Sequence, residues 1–312
     1  MSAGASLPGQ GRSTCLYRCI EMNAKPLQGY RMLLVHAHPD DETINNGVTM
    51  AMYSSMGAEI TLITCTRGEE GEVLVPGLIH LASTETDSLG EHRVAELVAA
   101  MKELGVADHR YLGGDVVRFR DSGMMGTPQN DRTDVFWQAE VDVAAKLLLE
   151  VIYETRPHIL VTYDEFGGYG HPDHIQAHRV AMRAAELSDK WNIQKIYWNA
   201  IPKSVIAKGI AELKKTGSNF FGAESVDDIP FAKDDALITT AIDGSEFVDR
   251  KLAAMKAHET QIALDGPFFA LSETLGTQMW SQEFYTLVKG VPAAPFDNQG
   301  RETNLFAGIK LA

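Results

Sequence analysis

The chain has 312 residues, 45% of them hydrophobic and 22% charged, with a formal net charge of −14. That is ordinary globular composition with ample length for a buried core, and the excess of acid argues against nucleic acid or an anionic membrane surface as a partner. No apolar run approaches the ~18 residues of a membrane span, and the three cysteines, Cys15, Cys19 and Cys65, make no disulfide framework, which points to a reducing, cytoplasmic setting.

Residues 1–30 carry basic and small residues without a continuous apolar segment of the secretory kind, and are expected to form a disordered tail. Met32-Leu33-Leu34-Val35 predicts a buried strand, and residues 43–56, small and apolar, predict a helix stopped near Gly57. A β-branched run at 59–66 predicts the second strand. Residues 67–86 read as a long loop at that strand's carboxyl end, where loops often carry function. A helix follows at 87–104, with Val94, Leu97, Val98, Met101 and Leu104 at helical spacing. A third strand is expected at 109–112 and a loop at 115–132. The next helix, 134–155, is expected to turn Val135, Ala139, Val143, Leu147 and Val151 inward. Then come a fourth strand at 158–163, a glycine-rich turn at 167–170, a helix at 172–187 and a fifth strand at 195–198. Beyond residue 200 the pattern is less regular, with helices expected at 200–215 and 247–260 and short strands near 236–241 and 284–288.

Strand and helix alternating over 31–200 predict an α/β fold, a Rossmann-like and mostly parallel sheet with helices on both faces. We read residues 31–200 as one metal-binding catalytic domain. Residues 201–312 are expected to be a smaller mixed elaboration packed on it and completing the pocket.

Two segments carry the chemistry. His36-Ala37-His38-Pro39-Asp40-Asp41-Glu42 puts two imidazoles and three carboxylates where the first strand hands over to its helix. Gly168-Tyr169-Gly170-His171-Pro172-Asp173-His174 stands at the matching place after the fourth strand. In open α/β sheets both places lie at the carboxyl edge, where ligands bind. So many ionisable groups are costly to bury unless a cation offsets them. Two local pairs, His38 with Asp41 and His171 with His174, can supply three ligands and leave one position open, the pattern of a catalytic zinc. Asp40 is the candidate base for a metal-activated water, His171 the candidate acid and Tyr169 a hydrogen-bond donor to a developing oxyanion. His36 is expected to be hydrogen-bonded behind the site, and His178 to lie on a helix face.

At these residues the chain resembles the PIG-L/LmbE-like zinc de-N-acetylase family, whose signatures stand here as His38-Pro39-Asp40-Asp41-Glu42 and His171-Pro172-Asp173-His174. Further stretches, Cys65 to Val73, Arg118 to Met124 and Ala257 to Gln261, are similar to the subgroup that deacetylates N-acetylglucosaminyl-inositol. The resemblance implies one zinc ion per chain, or ferrous iron, held by His38, Asp41 and His174. It implies Asp40 as base, His171 as acid or oxyanion stabiliser, Asp173 as the residue that orients His171, and Tyr169 as the group that polarises the amide. It implies sugar and inositol contacts from Arg93, Asp121 and Glu72, and a small pseudodisaccharide as substrate. A neighbouring subgroup, the mycothiol S-conjugate amidases, tends to have proline where this chain has Gly170, and lysine where it has Ile44-Asn45-Asn46. A nucleotide-binding module is disfavoured, because no Gly-x-Gly-x-x-Gly follows the first strand. A non-catalytic sugar-binding protein would not need a base beside an open metal site.

Overall fold

The computed structural model describes residues 25–114, 116–215, 222–263 and 280–311. At its centre is β1 (Arg31–His36). Successive side chains of a strand point to opposite faces, and here both faces are apolar. Met32 and Leu34 join one buried cluster, Leu33 and Val35 another. A strand apolar on both sides has to be covered on both sides. Helices α1 (Asp41–Ser55) and α2 (Leu89–Leu104) cover one face through Met50, Ala51, Leu97 and Met101. Helices α3 (Val141–Thr155) and α4 (Pro172–Leu187) cover the other through Ala144, Leu148, Ala177 and Val180.

β2 (Glu59–Thr64) and β4 (Ile159–Thr162) flank β1 in parallel, with β3 (Asp108–Tyr111) beyond β2 and β5 (Lys195–Pro202) beyond β4. The sheet continues through β8 (Gln282–Lys289), antiparallel to β5, and β7 (Thr240–Asp243), antiparallel to β8. The strand order is β3-β2-β1-β4-β5-β8-β7, with the short β6 (Ala232–Lys233) paired to β5 off this path. The chain works outward from β1 in one direction and from β4 in the other. The crevice of a doubly wound sheet therefore opens at the carboxyl ends of β1 and β4, where both His-Pro-Asp segments begin.

The last third is tied into this sheet. Glu302, fully buried, accepts from Lys195 Nζ at 2.5 Å, Tyr197 Oη at 3.0 Å and Thr240 Oγ1 at 3.2 Å. Helices α5 (Lys203–Lys215) and α6 (Val248–Ala257) are shorter than the sequence pattern suggests, α5 because β5 runs on to Pro202.

Three readings are corrected. The helix expected at 134–155 starts at Val141, after a 3-10 turn at Phe136–Gln138. Its inner face is Ala144, Ala145, Leu148 and Ile152, while Val143 is 57% exposed. Alanine carries little hydrophobic signal, so the small-residue stripe was hidden behind more conspicuous valines. Val98, counted in the apolar spacing of the helix at 87–104, is 51% exposed. Ordered chain also begins before residue 31. Leu27 is buried in the core and Tyr30 packs edge-on against Phe306, with ring centroids 5.1 Å apart. The rest of the expected tail, residues 1–24, lies outside the described residues. No helix among the described residues is long and apolar enough to cross a membrane.

Candidate metal centre and active site

After β1 the chain turns sharply at Pro39 and enters α1 at Asp41. Asp40, between them, has φ 103°, a conformation that costs free energy for any residue with a Cβ and persists only where its surroundings hold it. Arg93 of α2, itself buried, supplies part of that hold. It donates to the Pro39 carbonyl, to Gly68 O at 2.8 Å and to Asp40 Oδ2 at 3.2 Å. Gly68 is needed for this approach, since a Cβ there would fall on the guanidinium. Gly167 plays a similar part after β4. It has φ 61°, and a Cβ on it would lie 2.6 Å from that of His174.

Three atoms from the two segments form a triangle. His38 Nδ1 lies 3.4 Å from Asp41 Oδ2, Asp41 Oδ2 lies 3.4 Å from His174 Nε2, and His174 Nε2 lies 3.3 Å from His38 Nδ1. The protons on the imidazoles are fixed from behind. His38 Nε2 faces Asp173 Oδ2 at 3.2 Å and Asp121 Oδ1 at 3.6 Å, so that nitrogen carries the hydrogen. His174 Nδ1 faces Gly167 O at 3.2 Å and carries its hydrogen there. Two lone pairs and a carboxylate oxygen thus point at one another across the triangle. That arrangement is repulsive unless a cation or proton sits among them. Its edges match those of a tetrahedral ion with ligands at ~2.1 Å, for which the ligand separation is ~3.4 Å. The carboxylate behind His38 and the carbonyl behind His174 are the usual supports of metal-bound histidine.

His171 stands beside this triangle as the cap of α4. Its Nδ1 accepts the backbone N–H of Asp173 at 3.2 Å, so the neutral ring carries its hydrogen on Nε2, 3.9 Å from Asp121 Oδ1. His38, His171 and His174 have ring nitrogens within 4.8 Å of one another. The committed nitrogen separates His171 from the other two. Tyr169 sits at the rim, 45% exposed, its ring centroid 4.9 Å from that of His174.

The carboxylates behind the site are buried and well occupied. Asp173 accepts from Ser122 N at 3.0 Å and from Ser122 Oγ, besides facing His38. Its carboxylate therefore supports His38, whereas the resemblance had it orient His171. Asp121 accepts from Gly123 N at 2.8 Å and Glu70 N at 3.2 Å, and lies beneath His38 and His171. Arg93 and Asp121 are only 2% and 3% exposed, so neither offers free surface to a ligand. Glu72 is exposed on the loop after β2.

Burial raises Asp40 to about 7, with Arg93 opposing and the Asp41 charge adding. Burial also acts to raise Asp121, but His38 and His171 hold it below the ordinary carboxylate range. His38 would be lowered by burial, yet Asp121, Asp173 and Asp41 together raise it. His171 is pushed down to about 2 by burial and then by His38 and His174. As a free group it is neutral and offers an N–H rather than a full proton.

Two more of the histidines are hydrogen-bonded elsewhere. His36 meets Tyr163 Oη at 3.2 Å and Asn46 Oδ1 at 2.7 Å, and His178 Nδ1 meets Tyr163 O at 2.9 Å. Tyr163, which sequence reasoning passed over, stacks on His174 with centroids 4.3 Å apart and accepts from Ala37 N at 2.9 Å. Ser122, which donates to Asp173, was also missed as part of the site. A second group, His92, Glu96 and Glu259, has metal-compatible spacing, but both Glu96 oxygens already accept from Thr260 at 2.9 Å.

A doubly wound α/β sheet with such a triangle at its switch point is the frame of a metal-dependent hydrolase. A family model for PIG-L, GlcNAc-PI de-N-acetylase, matches residues 33–185, and relatives match along nearly the whole chain, so the chain belongs to this family of deacetylases. It is 56% identical over 301 residues to 1D-myo-inositol 2-acetamido-2-deoxy-alpha-D-glucopyranoside deacetylase 1 of Catenulispora acidiphila, covering 93% of this chain and 92% of the relative. It is 54% identical over 297 residues to the deacetylase of the same description from Streptomyces avermitilis, covering 91% and 99%. Among solved structures it is similar in fold to the A40926 pseudoaglycone deacetylase Dbv21, with a TM-score of 0.54, 19% identity, and coverage of 85% of this chain and 100% of that one.

Proposed function

We propose that the chain hydrolyses the acetamide of N-acetylglucosaminyl-inositol, releasing acetate and the free amine, at a divalent metal held by His38, Asp41 and His174. The observation that carries the metal is the triangle of converging lone pairs. The substrate is supported by the relatives that share this description at more than half identity over nearly their full length. Two imidazoles and one carboxylate suit zinc and also accept ferrous iron. Such an ion, when bound, polarises the amide carbonyl and makes a water acidic near neutral pH.

The protein groups do the rest. Asp40, next in chain to Asp41 and held by Arg93, takes the proton from the attacking water. Its carboxyl, raised to about 7 by burial, accepts a proton in the range where such catalysis is efficient. The water oxygen adds to the carbonyl carbon, the carbon–nitrogen bond breaks, and the proton held by Asp40 passes to the leaving amine. His171, neutral and carrying its hydrogen on Nε2, stabilises the negative oxygen of the tetrahedral intermediate. Tyr169 at the rim donates to the same oxygen. Asp173 and Asp121 hold His38 in its metal-binding tautomer. We assign Arg93 to holding the base rather than to reading inositol, and leave the sugar and inositol contact to exposed groups such as Glu72.

The test is acetate release, assayed in parallel on N-acetylglucosaminyl-inositol, N-acetylglucosamine and a mycothiol S-conjugate. The first should have the highest kcat/KM. A clear preference for the conjugate would make the chain an amidase instead.

A further inference from the structure

Glu42 and His258 have no role in the reaction as described. Glu42 is the second residue of α1 and His258 follows the last turn of α6, far along the chain, yet both side chains are fully buried and meet behind the site. His258 Nε2 lies 3.1 Å from Glu42 Oε1, and Thr43 Oγ1 donates to the same oxygen at 2.7 Å. The other carboxylate oxygen, Glu42 Oε2, accepts the backbone N–H of Asp40 at 3.0 Å. That N–H belongs to the residue with φ 103°.

A left-handed aspartate needs support on more than one side. Arg93 holds the Pro39 carbonyl and the Asp40 carboxylate. Glu42 holds the Asp40 amide. A buried carboxylate can serve this way only if its own charge has partners, and His258 with Thr43 are those partners. His258 is placed by the fold. Its carbonyl accepts from Gln261 N at 3.1 Å and Ile262 N at 2.9 Å, and α6 packs against both α1 and α2. Its Nδ1 is buried without a hydrogen-bond partner among the described residues. Packing alone would favour an apolar side chain there. What the imidazole adds is its Nε2, 3.1 Å from Glu42 Oε1 and 3.5 Å from Thr43 Oγ1.

We propose that His258 is a positioning residue for the base. Through Glu42 it holds the Asp40 backbone in the turn that aims the carboxylate into the site. This rests on the reading of Asp40 as the base, and the two claims separate in a double-mutant cycle. His258→Ala should lower kcat by roughly 10- to 100-fold, the scale of a misplaced catalytic group, with KM and bound metal unchanged. His258→Gln, whose amide N–H can reach Glu42, should recover most of that loss. In an Asp40→Asn background, His258→Ala should cost almost nothing further, because both changes act on one group. A full additional loss in that background overturns the inference, as does a KM effect with kcat intact. If Asp40→Asn alone keeps wild-type kcat, the base reading fails first and the inference with it. Should His258→Ala not fold, Glu42→Gln takes its place in the cycle with the same expectations, since it leaves one acceptor oxygen where two are used.

Discussion

Replacing Arg93 distinguishes a residue that reads substrate from one that holds the base. The Arg93–Asp40 contact is 3.2 Å long between side chains 3% and 17% exposed, and a charge-assisted hydrogen bond in such a place contributes ~1.5–3 kcal/mol. That equals a change of ~1–2 units in the pKa of its carboxyl partner. Arg93 lowers Asp40, so Arg93→Ala raises it. A base works as its carboxylate, and activity falls as pH drops through its pKa. The acidic limb of kcat/KM should therefore move upward by ~1–2 pH units. A bound cation lowers the starting point without changing the direction of this shift. The loss should be equal on N-acetylglucosaminyl-inositol and on plain N-acetylglucosamine, since Asp40 serves both. Arg93→Lys, which keeps the charge but not the fork, should fall between. The assay is kcat/KM against pH for both substrates, with melting temperature measured alongside, because removing one partner of a buried pair costs about 3–5 kcal/mol. A loss confined to the inositol-bearing substrate, with an unshifted limb, would refute this and restore Arg93 as an inositol contact.

Asp41→Ala and His174→Ala should each lose most bound metal by elemental analysis, since an open three-ligand site rarely replaces a missing ligand. Asp40→Asn should retain its metal and lose roughly 10²- to 10⁴-fold in kcat; loss of metal instead would mean that the two aspartates have the wrong roles. Asp173→Asn removes the carboxylate behind His38 and should weaken metal affinity by ~10- to 100-fold, read by competition with a chelator. Far from the site, His158 Nδ1 accepts from Arg31 N at 3.0 Å, and burial, then the Arg31 charge, lowers it from 6.5 to about 4. The unfolded chain then takes up a proton that the folded chain refuses, so stability is present above pH 6.5 and lost as pH falls through about 4. His158→Gln should flatten that part of the urea-midpoint profile, and an unchanged slope would remove His158 as its source.

The metal segments were legible because their chemistry is local. His38 and Asp41 are three residues apart, His174 opens a helix, and both segments follow apolar runs that any sheet would bury. The alternation of strand and helix placed them on one sheet edge. What the sequence hid is tertiary. His258 reaches Glu42 across 216 positions, and the stretch Ala257 to Gln261, though similar to the subgroup, does not say what its histidine touches. Arg93 and Asp121 looked like substrate contacts because their segments leave the correct edge, but direction along a strand does not say whether a side chain turns outward or beneath its neighbours. Asp173 follows His171 closely in sequence, yet α4 turns its carboxylate toward His38. Val143 and Val98 misled for a related reason. Apolar spacing fixes a helix, but a stripe built partly of alanine leaves its rotation ambiguous.

Metal titration of the stripped protein tests the central claim most directly, with acetate release from N-acetylglucosaminyl-inositol as the readout. If His38, Asp41 and His174 hold the ion that the reaction needs, stripped protein is silent and activity rises linearly to a break at one zinc or ferrous ion per chain. His174→Ala should show no such break. Full acetate release by the stripped protein, or none at any metal loading, would contradict the assignment.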